Sequence, residues 1–329
     1  MAALTPIESV SADEITVDAF PFARVYKSGR VERFIGTAVV PTGVDSATGV
    51  VSKDVLVDPA TNLSARLYLP GHPQPDRALP VLVYVHGGGF LIESAASPTY
   101  HNYLNALVAA AGVVAVSVDY RRAPEFPLPI AYDDCYAALR WVASRPPDEP
   151  WLAEGQADLG RLFVAGANIV HHVALRVGEK GLGRDDVVID GLLLIHPFFW
   201  GSEPIGSEPD ASDTERQRTE QMWRWACPGT TGVDDPLINP AAEGAASLVA
   251  LPARRVVVAV AEKDALKDRG RVYHELLTTS GWKGEARLEE TEGPDSSHVF
   301  HLVNPACDIS VNLLKTVAAF INSGHSSGE

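Results

Sequence analysis

Val81-Leu-Val-Tyr-Val-His-Gly-Gly-Gly-Phe90 joins a short, unbroken apolar run to three consecutive glycines. Five apolar residues without alternation read as a strand covered on both faces. Glycines directly after such a strand let the backbone turn so that its N–H groups point into a cleft. Outward from this stretch, residues 113–118, 162–165, 192–195 and 256–260 repeat the same apolar pattern. Helical periodicity lies between the runs, over residues 100–111, 130–144, 168–178 and 267–280. Strands alternating with helices predict an α/β fold with a mostly parallel, doubly wound sheet and right-handed crossovers. Residues 50–70 differ, since two alternating runs flank Asp58-Pro-Ala-Thr-Asn62 and predict antiparallel strands. A strand at 286–290 and a helix at 309–321 close the pattern.

Residues 1–329 are read as one domain, with residues 1–45 as an N-terminal lid or edge segment. One stretch breaks the alternation. Residues 197–252 are rich in Gly, Pro and acid, with a single helical piece at 214–226. An insertion of that length between core strands predicts a cap over a site. Trp200, Met222, Trp223 and Trp225 favour that reading over a solvated excursion.

Composition excludes several classes of function. Lys and Arg number 27 against 42 Asp and Glu, a net charge of −15. So acidic a surface repels phosphate backbones and anionic lipid, which leaves no nucleic-acid partner expected. No apolar run approaches the ~20 residues of a membrane span. The N-terminal residues lack the basic-then-apolar order of a secretory signal, so a soluble, cytoplasmic protein is expected. Cys135, Cys227 and Cys307 are too few and too scattered for a disulfide framework or a zinc knuckle. No His-Glu-x-x-His spacing or similar cluster occurs, and neither a metal nor an organic cofactor is implied.

Three places carry chemistry. His86-Gly87-Gly88-Gly89-Phe90 after a strand reads as the oxyanion-hole loop of lipases and esterases. The loop has neither the glycine spacing nor the Lys-Ser/Thr ending of a Walker loop. Asp264, in Ala261-Glu-Lys-Asp264, follows the run at 256–260, where helix capping is the plainer reading. His298 follows the strand at 286–290. Acid before base is the chain order of the last two triad members of an α/β hydrolase. Asp119-Tyr-Arg-Arg-Ala-Pro-Glu125 reads as an ion-pair network bracing a loop.

With these residues in view, the chain resembles the plant carboxylesterases of the α/β-hydrolase superfamily, the hormone-sensitive-lipase-like group that includes the gibberellin receptors. The likeness runs through Phe20-Pro-Phe, Val25-Tyr-Lys-Ser-Gly-Arg-Val-Glu-Arg33, Ala65-Arg-Leu-Tyr-Leu-Pro70, His86-Gly-Gly-Gly-Phe90, Asp119-Tyr-Arg, Ala261-Glu-Lys-Asp264 and His298-Val-Phe-His301. The resemblance implies ester hydrolysis by acyl transfer on a small-molecule ester or hydrophobic ligand. Asp264 and His298 are then the acid and base, and Gly87, Gly88 and Gly89 form the oxyanion loop. His86 and Phe90 lie against the substrate.

The nucleophile is missing. Members of the family carry Gly-Asp-Ser-Ala-Gly-Ala-Asn between strand and helix, and this chain reads Val164-Ala-Gly-Ala-Asn168. Four residues are absent, the serine among them. A literal Gly-x-Ser-x-Gly at residues 324–328 has neither strand before it nor helix after it, and Ser94 and Ser97 read as loop residues. Three readings stand: an esterase lineage with a defective elbow, a ligand-binding pseudoenzyme, and a hormone receptor. The receptors typically lose the triad histidine, which is kept here as His298. Each reading expects impaired catalysis and leaves the oligomeric state open.

Overall fold

The five apolar runs lie side by side in a computed structural model that describes residues 14–71, 77–208 and 213–324. Eleven strands are present among them. Ile15–Ala19, Ala23–Tyr26 and Val31–Arg33 (β1–β3) form a small antiparallel sheet. Val51–Asp58, Leu63–Leu69, Leu79–Val85, Val114–Asp119, Ala157–Gly166, Ile189–Ile195, Ala253–Ala261 and Glu285–Thr291 (β4–β11) form the main sheet, in the order β11-β10-β9-β8-β6-β7-β5-β4. β5 runs antiparallel to both neighbours, β4 and β7, and every pairing from β7 to β11 is parallel.

Strict alternation sorts the strand residues onto two faces. Val81, Val83 and Val85 join one core with the helices Ile130–Ala143 (α2) and Asn168–Lys180 (α3). Leu82 and Tyr84 join the other with Pro98–Ala111 (α1) and Asp308–Asn322, the last helix. Burial of such side chains contributes about 1.5–3 kcal/mol each, so both faces hold the sheet. Four residues deleted at ~100° per residue turn the following helix by only ~40°. Consistent with that, Val170, Val173, Ala174 and Val177 of α3 still form one buried stripe.

Among its described residues the insertion after β9 holds the α-helix Asp213–Ala226 (α4) and a 3-10 turn at Leu248–Ala250, and returns to β10. Trp200 and Trp223 are buried and Trp225 packs against the core. The Arg269 guanidinium, at the start of Lys267–Thr279 (α5), meets Glu208 at 2.6 Å and Glu203 O at 2.6 Å, and so ties the insertion to the main body. Arg33 of β3 bonds Glu125 and Leu91 O, which anchors the small sheet beside the glycine loop. Of the expected N-terminal segment, residues 1–13 lie outside the described residues.

Candidate functional site

Parallel strands converge their carboxyl ends on one edge of the sheet, where α/β proteins build sites. His86 follows β6, Ala167 follows β8, His196 follows β9, Asp264 follows β10, and His298 follows β11. The edge has two halves, which differ in how completely they are built.

The half at the ends of β10 and β11 brings Asp264 and His298 together. His298 Nδ1 lies 2.7 Å from Asp264 Oδ2, while Asp264 Oδ1 accepts the Leu266 N–H at 2.9 Å. The Leu266 bond closes a turn just before the helix Lys267–Thr279, whose N-cap is Leu266 with no side-chain cap, so the carboxylate pairs with His298 without capping the helix. Asp264 is only 3% exposed. Burial pushes its pKa up, but the His298 bond, the charges of His298 and His196 and the Leu266 N–H outweigh burial and hold it below the ordinary carboxylate value. The His298 side chain is half exposed.

The glycine loop is also in place. Gly88 (φ +105) and Gly89 (φ +60) adopt backbone that favours glycine. A Cβ on Gly88 would run into Ile92 O, and one on Gly89 into Met222 Sδ of α4. Gly88 and Gly89 keep N–H groups with no acceptor among the described residues. Gly87 differs from expectation, since its N–H donates to Tyr100 Oη at 2.9 Å and is not free for a ligand. His86 stacks on Tyr120 and donates from Nδ1 to Gly87 O, so its Nε2 carries a lone pair, buried and unpartnered. Burial lowers the His86 pKa to about 4. Phe90 packs among Tyr132, Phe198 and Trp223, more core residue than open wall.

β8 ends at Gly166 and α3 begins at Asn168, so the chain passes between them through Ala167 alone. Ala167 has φ −132 and ψ −126 and carries no hydroxyl. A Cβ on Gly166 would sit 2.7 Å from Val85 O, so the turn lies hard against the end of β6. Asn168 is buried; it accepts from Tyr132 Oη at 2.8 Å and donates to Leu237 O at 2.8 Å. The space left over the glycine loop is about 40 Å³, lined by His86, Gly87, Gly89, Phe90, Tyr120 and Ala167 among others, with neither Asp264 nor His298 in its wall. Among the described residues, the Ser94 and Ser97 hydroxyls are engaged with their own loop. Ser97 Oγ accepts the Ser94 N–H and Ser94 Oγ the Ala96 N–H. Ser326 lies outside the described residues.

The Asp119–Glu125 segment braces loops, as its charges suggest: Arg121 forks onto Asp134, Arg122 bonds Glu93 O, and Glu125 takes Arg33. His196 escaped the sequence reading. Donor atoms of His196, Asp264 and His298 lie within 4.8 Å of one another, a spacing that a divalent cation could use. The hydrogen bonds argue otherwise. His196 Nδ1 accepts the Val299 N–H at 2.8 Å, so the neutral ring carries its proton on Nε2 and has no second lone pair to give a metal.

Residues 82–302 match the model of the α/β hydrolase fold. The chain is 49% identical over 327 residues to the chloroplastic tuliposide A-converting enzyme 1 of Tulipa gesneriana, covering 97% of this chain and 81% of that one. It is 44% identical to probable carboxylesterase 2 of Arabidopsis thaliana, covering 94% and 97%. Among solved structures, an esterase of Pyrobaculum calidifontis superposes with a TM-score of 0.68 at 28% identity, over 82% of this chain and 84% of that one. The expectation of a cytoplasmic protein is corrected here, because the tulip relatives are chloroplastic and amyloplastic enzymes by name. No described helix is long and apolar enough to cross a membrane.

Proposed function

The chain belongs to the α/β-hydrolase fold family, in its plant carboxylesterase branch, and from that premise we propose that it is a catalytically silent carboxylesterase scaffold. One observation carries the proposal: Gly166-Ala167 spans the β8–α3 turn with no hydroxyl where the acyl-accepting serine belongs. Without it His298 has no proton to remove and no covalent acyl intermediate forms. Loss of a triad serine in a well-studied protease costs roughly 10⁶-fold in turnover, about 8 kcal/mol of transition-state stabilisation. The N–H of the residue after the serine, the second arm of an oxyanion hole, goes with it.

Asp264 and His298 keep the acid and base roles on this reading, and Gly88 and Gly89 keep the oxyanion donors. Residues 197–252 act as the cap, with Met222 seated on Gly89. A cavity of about 40 Å³ has room for one or two waters, which favours a silent scaffold over one already shaped to hold an ester or hydrophobic ligand. The small sheet β1–β3, tied through Arg33 to Leu91 O and Glu125, is the N-terminal lid or edge segment. The compartment we propose is the plastid, after the tulip relatives; the fused gene product should coincide with plastid fluorescence in leaf cells, and a diffuse signal counts against it.

The test is hydrolysis of 4-nitrophenyl acetate by the purified chain. Turnover should equal that of the same protein with His298→Ala. A rate well above that control, abolished by the substitution, sinks the proposal.

A further inference from the structure

His196 closes β9 with φ +48, a left-handed backbone that is uncommon outside glycine, and stands directly before Pro197. Its own N–H continues the strand ladder to Ala259 O at 2.9 Å, so the ring rides on the rigid sheet. Ring Nδ1 lies 2.8 Å from Val299 N. A backbone N–H can only donate, so Nδ1 is the acceptor. Val299 is itself left-handed, with φ +49 and ψ +31, a conformation disfavoured for a β-branched residue. It sits one residue after His298, so its backbone decides where the His298 ring points.

We infer that His196 is the positioning residue of the Asp264–His298 pair: by holding the Val299 N–H it fixes the left-handed turn that aims His298 at Asp264. The inference rests on the acid–base pairing proposed above. Three titratable groups face the ring: Asp264 from the end of β10, His298 beside it, and His301 from the short helix Phe300–Val303 (α6). Burial first, and His298 next, lower the ring's pKa to about 4 against the pull of Asp264. The ring therefore stays neutral through ordinary pH, and Nδ1 keeps the lone pair that Val299 needs. A protonated ring would turn a donor toward a donor.

The experiment reads the pair, not turnover. The His298 Nδ1 proton held by Asp264 should give a far-downfield proton NMR signal in the native chain. His196→Leu removes the acceptor at similar bulk; exchange of that proton with water should then quicken roughly fivefold or the signal vanish, as loss of one hydrogen bond implies. His196→Asn puts Oδ1 where Nδ1 was and suits the left-handed backbone, so the signal and its exchange rate should return to native values. A folded His196→Leu protein with native exchange overturns the inference. So does a folded His196→Asn protein that lacks the signal, which keeps the question answerable should His196→Leu fail to fold. A native chain without the signal also overturns it, through the pair itself. Ester hydrolysis by the native chain would sink the silent-scaffold proposal instead, and leave the NMR result standing.

Discussion

Two halves of one sheet edge meet the same requirement with different completeness. At the ends of β10 and β11, the Asp264 carboxylate takes both a backbone N–H and the His298 ring, and His196 takes the N–H of the turn behind. At the ends of β6 and β8, the glycine loop is formed, but the turn beside it is a bare Gly166-Ala167 pressed against Val85 O. β6, β8 and β10 are buried along most of their length, whereas β11 is the partly exposed edge of the sheet. Packing and turn chemistry part company here: α3 keeps its buried stripe, while the turn before it carries no hydroxyl. The preserved half is arranged for a partner that the other half does not supply.

The largest effect should come from making the halves equal. Insertion of Gly-Asp-Ser-Ala after Ala165 restores a strand-to-helix elbow, and turnover of a short-chain ester should rise on the order of 10⁶-fold over the native chain. A folded insertion protein without activity on any short-chain ester would break the account of the missing half. Ala167→Ser alone should give no gain in the same assay. It adds a hydroxyl, but in the present turn and beside a cavity whose wall excludes His298.

Acid should reveal what the halves share. His86, His171, His196 and His301 are buried and His172 is half-buried, and burial lowers each pKa, to about 4 for His86, His172 and His196. Below an unfolded value near 6.5 the unfolded chain binds protons that the folded one refuses, so stability falls as pH drops from about 6.5 toward 4. Each such histidine costs about 1.4 kcal/mol per pH unit in that window. Urea melts at pH 7 and 5.5 should show the midpoint falling. Asp264 acts in a lower range, because its depressed pKa stabilises the fold above the unfolded carboxylate value, and that share is lost only as pH falls through the folded one. An unchanged midpoint between pH 7 and 5.5 would mean that the histidines are not held neutral.

Smaller effects separate the halves. Asp264→Asn weakens a charge-assisted bond and should cost about 1–2 kcal/mol in the same melts. Gly166→Ala puts a methyl against Val85 O and should cost about 1–3 kcal/mol. If Gly166→Ala were neutral, the turn would be looser than described.

Most of the fold could be read from the residues. Each apolar run from 81–85 to 256–260 became a strand of the main sheet, with β8 longer than its apolar part because residues 157–161 alternate and shift register against β6. β1–β3 were not legible: Ile15-Thr-Val-Asp-Ala19 is short and largely exposed, and so shows little of a buried pattern. Asp264 and His298 were legible because each stands in a loop after a core strand. His196 was not, since its partner is a backbone N–H 103 residues away, which no side-chain pattern records. Nor was the close approach of Met222 of α4 to Gly89.

Intact-mass analysis after treatment with a fluorophosphonate tests the central claim most directly, because the reagent marks a serine that a working acid–base pair has activated. The native chain should stay at its own mass, while the chain with Gly-Asp-Ser-Ala inserted after Ala165 takes up one adduct. One stoichiometric adduct on the native chain, lost in His298→Ala, would contradict the account, for it would mean that the intact half already has its nucleophile.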